Sequence, residues 1–140
     1  MKKDMPFDFS VTDIVSETVF AKTEQMGLPG WVTVVFSSDC IGKEDISHGE
    51  VLLLAFLDGL CQSDALPDEI IFYHRGVLLL EENHAARKYI EKLLQWDVQF
   101  LVSKESCEEY RIFLPEKDIP RASMQTICRH MLRADKLIYP

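Results

Sequence analysis

The sequence lacks any run of about eighteen apolar residues, so no membrane-spanning helix is expected. It also lacks an excess of basic charge. Its 15 Lys and Arg stand against 23 Asp and Glu, a net charge of −8. Nucleic acid and anionic membrane surfaces need basic patches, so neither is an expected partner. There is no Cys-x-x-Cys pair and no zinc-type spacing. Cys40, Cys61, Cys107 and Cys128 are scattered, which predicts free thiols and no metal site. No glycine-rich phosphate loop is present, because Gly42 stands without the other glycines of a GxGxxG. Neither a nucleotide nor any other cofactor is therefore expected. The opening MKKDMPFDFSVTD has two lysines but no apolar core of a secretory signal, and the expected location is the cytoplasm. Internal repeats and low-complexity tracts are absent too.

What is present organises itself around Trp31 to Leu60. Trp31–Phe36 is a β-branched and aromatic run, the composition of a strand buried on both faces. Ser37-Ser38-Asp39-Cys40-Ile41-Gly42 is small, polar and turn-prone. From Ile46 to Cys61 the chain is apolar again, too long for a strand and rich in Leu and Ala, which predicts a helix. Glu69–His74 (EIIFYH) reads as a second strand. Val77–Leu80 either extends the sheet end or caps it. Asn83 reads as an N-cap, before the stripe Ala86, Tyr89, Ile90, Leu93, Leu94. Asp97–Val102 is a third strand, followed by a short helix through Tyr110 capped by Ser103 or Ser106. A short strand is expected near Ile119–Ala122. Ser123 then caps a helix with the stripe Met124, Ile127, Cys128, Met131, Leu132, and Leu137–Tyr139 closes the chain as a last strand.

Strands alternating with helices predict a single three-layer α/β domain over 31–140. It has about five mainly parallel strands flanked by helices, in the Rossmann or flavodoxin-like manner. The first thirty residues read as an arm or short helix. There Ser10–Asp13 resembles a cap, with Val11, Ile14, Val15 and Val19 as a helical stripe.

The order of several short motifs resembles the DsrE-like family. They are Ser38-Asp39-x-x-Gly42, Gly49-x-x-Leu52, Phe56-Leu57, Leu66-Pro67, Gly76-Val77-x-Leu79, Cys107-x-x-Tyr110, Ser123-Met124-x-x-Ile127 and Ala134-Asp135-Lys136. The match spans roughly 31–139, and the branch most resembled is the DsrE-like domain of YedF-like proteins, associated with sulfur or selenium metabolism. Three positions depart from that pattern. No Cys-Pro-x-Pro domain precedes Trp31. The third-strand loop reads Lys104-Glu105-Ser106-Cys107 where the family often has Cys-Gly-Thr-Cys. His74-Arg75 stands where the family has Asn-Ser.

Ligand crevices in such sheets lie at the carboxyl ends of the strands. The predicted catalytic set is Cys107, His74 and Arg75. Cys107 follows a strand near a helix N-terminus, where a thiolate is favoured. The predicted substrate-binding set is Ser38, Asp39, Cys40, Gly42, Gly76 and Lys104, with Cys40 as a second thiol or a small loop filler. Cys61 and Cys128 are expected in the core, and His48 at the surface. Two readings remain open. In one, the chain is a sulfurtransferase-like carrier that holds sulfane sulfur as a Cys107 persulfide and meets a donor or acceptor protein. In the other, it is a non-catalytic binding or assembly module of the same fold. The resemblance also implies a homo-oligomer, a trimer or its multiple, or a dimer. The apolar run Val77–Leu80 adds to that expectation, because an exposed loop so apolar would need covering.

Overall fold

A computed structural model describes residues 30–115 and 117–140. The cap and stripe expected within the first 29 residues lie outside the described residues. Five strands form one sheet: β1 (Val32–Phe36), β2 (Glu69–Phe72), β3 (Gln99–Ser103), β4 (Arg121–Ala122) and β5 (Lys136–Ile138). Their order is β4-β3-β2-β1-β5, and every neighbouring pair is parallel. Among the described residues four α-helices flank it: α1 (Ile46–Gln62), α2 (Arg87–Gln95), α3 (Lys104–Tyr110) and α4 (Met124–Arg133). This is the three-layer α/β fold read from the alternating pattern.

The pleat divides the strand side chains. Val34, Phe36, Ile70, Phe72, Phe100 and Val102 point to one face, where α1, α2 and α3 pack. Val35, Ile71 and Leu101 point to the other, where Ile127 of α4 meets them. On the first face Phe72 stacks on Phe36 at 5.6 Å and lies 5.3 Å from Phe100, which ties three neighbouring strands together.

Several expectations change in detail. β2 ends at Phe72, not His74. His74 adopts a left-handed φ of 53° and opens a 3-10 segment, His74–Leu80. That segment buries Val77, Leu79 and Leu80 completely, so the run does not form an exposed patch and that ground for an oligomer is removed. Asn83 caps nothing and sits in an exposed turn. Instead the His84 Nδ1 accepts the Ala86 N–H at 3.0 Å, taking over one orphan donor, and α2 starts at Arg87. The α4 stripe splits. Ile127 is buried, while Met124, Cys128 and Leu132 face outward, so Cys128 is not a core residue.

Candidate functional site

The carboxyl ends of β1, β2 and β3 carry the predicted residues, but they form two neighbouring places and not one. The first is built from the loop after β1 and the turn after β2. Gly76 fixes their approach: a Cβ there would overlap the Phe36 carbonyl oxygen, so only glycine lets the chain fold back over β1. Tyr73 N–H donates to that same oxygen at 3.1 Å. Gly49 does the same for α1, since its added Cβ would fall 2.5 Å from the Ile41 carbonyl. Ile41 N–H in turn donates to the Gly49 carbonyl at 3.0 Å, pinning the Ser37–Gly42 loop to the helix.

On this scaffold Arg75 donates to both carboxylate oxygens of Asp39, through Nε at 3.2 Å and Nη2 at 3.1 Å. Asp39 thereby joins the loop after β1 to the turn after β2. The pairing raises the Arg75 pKa, first through the hydrogen bond and then through the charge of Asp39. Cys40 is half-buried beside it. Its N–H donates to Ser38 Oγ at 3.2 Å, its Sγ lies 3.6 Å from that hydroxyl, and its thiol donates to the Gly42 carbonyl at 3.7 Å. His74 joins this crevice to α3. Its backbone N–H donates to Ser106 Oγ at 2.8 Å, and its ring meets Tyr110 edge-on at 6.0 Å. Ser106 and Tyr110, four residues apart, share one face of α3.

Cys107 belongs to the second place. It is only 4% exposed and sits in the larger core cluster. Ser103 caps α3 by accepting the Ser106 N–H at 3.1 Å, and the tight start of the helix turns Cys107 inward. With Lys104, Glu108, Ile112 and Arg121 it lines a cavity of about 370 Å³. Burial pushes the thiol pKa above its ordinary value of 9.0. The Arg121 charge and a hydrogen bond from Arg121 pull it back, and Glu108 adds to the rise. The resting thiol is therefore protonated, not the thiolate that a helix N-terminus alone would favour.

Thus Asp39 and Arg75 meet, Ser38, Cys40 and Gly42 share their loop, and His74 touches α3. Cys107 and Lys104 line a different cavity. Sequence reading missed Arg121 and Glu108. Arg121 comes beside Cys107 through the register Val102↔Arg121 of β3 with β4, which has no local signal. Among the described residues, no group of three or more His, Cys, Asp or Glu is placed to hold a metal ion. No helix among them is long and apolar enough to cross a membrane.

No family model matches this chain, and no curated protein does. Solved structures similar to it include the following two. The YchN protein from E. coli is 16% identical with a TM-score of 0.50, covering 79% of this chain and 98% of its own. MTH1491 from Methanobacterium thermoautotrophicum, described as a protein of unknown function, is 17% identical with a TM-score of 0.56. That likeness covers 79% of this chain and all of the other. At such identities the likeness shows the fold, a DsrE-like α/β arrangement.

Proposed function

We propose that this protein handles sulfur or selenium in the cytoplasm, in the manner of YedF-like proteins, with Cys107 as a carrier of sulfane sulfur. The observation that carries the reading is the cavity that Cys107 shares with Arg121 and Lys104. The Arg121 guanidinium, hydrogen-bonded to the thiol, is suited to stabilising the anion of a persulfide, which is more acidic than the thiol it replaces, and Glu108 opposes it.

The transfer balances as an exchange. Cys107 loses its proton and attacks the terminal sulfur of a donor persulfide, R–S–SH. A new S–S bond forms at Cys107, the donor's S–S bond breaks, and the donor leaves as a thiolate that takes up the proton. The products are Cys107–S–SH and R–SH, with no net oxidation. Arg121 offsets the charge on the attacking sulfur and then on the persulfide.

Incubation with cysteine persulfide followed by intact and peptide mass spectrometry tests this. The expected result is a gain of about one sulfur atom, roughly 32 Da, on Cys107, absent in Cys107→Ser and retained in Cys40→Ser. The other reading, a binding module without chemistry, is favoured by one observation: burial holds Cys107 protonated and almost inaccessible. A Cys107 that takes up no sulfur while other thiols do would decide for that module.

A further inference from the structure

The turn after the 3-10 segment and the turn after α3 together line a cavity of about 330 Å³. That volume lies at the small end of ligand cavities. Glu81, Glu82 and His84 line it from the first turn, and Arg111, Ile112 and Phe113 from the second. Both turns are tied down through their backbones. His84 N–H donates to the Glu81 carbonyl at 3.1 Å, and Ile112 N–H to the Cys107 carbonyl at 2.9 Å.

Three features set this cavity apart. Charges of both signs line it without neutralising one another. Among the described residues, Arg111, Glu81 and Glu82 make no side-chain hydrogen bond or ion pair. Arg111 also holds a left-handed φ of 57° at the end of α3, where glycine is the ordinary residue. The chain thus bears a backbone cost for an arginine whose guanidinium meets no partner there. Lastly, Phe113 is 82% exposed, a large ring left uncovered at the same place.

We infer that this cavity binds a free α-amino acid with an uncharged side chain. Arg111 pairs with its carboxylate through two N–H donors, and Glu81 and Glu82 accept from its ammonium. His84 Nδ1 accepts the Ala86 N–H, so the ring hydrogen of the neutral imidazole sits on Nε2, a further donor for the carboxylate. The buried Ile112 and the Phe113 ring receive the side chain. A ligand carrying one charge would leave the opposite group of the cavity unpaired, whereas a zwitterion satisfies both. The inference goes beyond the sulfur chemistry and does not rest on it. Ile112 lines the Cys107 cavity as well, but no charged group of this site takes part in the transfer step.

Isothermal titration calorimetry of the full 140-residue chain against L-leucine, L-methionine and L-serine tests this. At least one of the three is expected to bind with a dissociation constant below about 1 mM. Its amide and its N-acetyl derivative, each lacking one charge, should bind at least about tenfold more weakly. Arg111→Gly suits the left-handed backbone, so it should keep the fold by circular dichroism while weakening binding at least about tenfold. Glu81→Gln combined with Glu82→Gln should weaken it likewise. No binding by any of the three amino acids overturns the inference, as does binding indifferent to Arg111→Gly. An amide or N-acetyl derivative that binds as tightly as its parent overturns recognition of the zwitterion. Sulfur loading of Cys107 is read separately by mass, so the failure of either proposal is distinguishable from the failure of the other.

Discussion

The two faces of the sheet are held by different means. Among the described residues, the face under α1, α2 and α3 is a conventional apolar layer, with nineteen buried residues in one cluster. The face under α4 has four described residues: Val35, Ile71, Leu101 and Ile127. The thinner layer is supplemented by a polar one. Glu69, buried at the start of β2, accepts from Thr33 Oγ1 at 3.2 Å and Trp31 Nε1 at 3.4 Å, and pairs with His130 Nδ1 at 2.6 Å. A carboxylate under the sheet thus does for α4 part of what leucines do for α1. An apolar layer tolerates a change of size by repacking. A buried carboxylate tolerates little, because each partner left behind is then unsatisfied.

The widest contrast is in thiol access. Cys107 lies within the thick layer and Cys128 on the outer side of α4, so alkylation of the native chain should label Cys128 faster by orders of magnitude. Timed labelling with peptide mapping checks this, and equal rates would abolish the contrast between the layers. Next is Phe72→Ala, which removes a ring stacked in the thick layer and should cost about 3–5 kcal/mol in urea unfolding. Glu69→Ala should cost about 1–3 kcal/mol by orphaning Thr33 and His130. Glu69→Gln, which keeps an acceptor, should cost less. If Glu69→Ala cost nothing, the polar support of α4 would be disproved. Ser103→Ala removes the cap of α3 and should cost about 1 kcal/mol.

The smallest effect is in pH. Burial raises the pKa of Cys107, and of Cys61, above the 9.0 of an ordinary thiol. A raised pKa favours the protonated form in the folded state. Its stabilisation is complete below pH 9 and fades as pH rises through the folded values. Cys107→Ser should therefore flatten part of the alkaline decline in stability. Cys107 labelling should keep accelerating beyond pH 9, where an ordinary thiol levels off.

The parallel sheet was legible because strands buried on both faces announce themselves in runs such as WVTVVF and EIIF. The cap at Ser123 was legible too, and that of α3 was narrowed to Ser103 or Ser106, since capping is a local code. Two things were not. The inward half of a stripe cannot be told from its outward half when both are apolar, which misplaced Cys128. Nor does local pattern say how far a short helix sinks. Cys107 starts in a segment of polar neighbours, Lys104, Glu105, Ser106 and Glu108, yet it is the residue of α3 that is buried. Of the candidate site, the position of the Ser37–Gly42 loop and the His74-Arg75 turn after strands was legible from the pattern. Their ion pair and the Arg121 contact depend on register across the sheet.

The position of β5 has a consequence for how the chain is made. β1 pairs with β2 on one side and with β5 on the other, and the Trp31 carbonyl accepts from Lys136, over a hundred residues away in sequence. During synthesis β1 must wait for residues 136–138 with one hydrogen-bonding edge open and Val34 and Val35 flanking it. The nascent sheet is thus a template for any other extended segment until its final strand arrives. Released chains truncated before Lys136 should be far more prone to aggregate than the 140-residue chain.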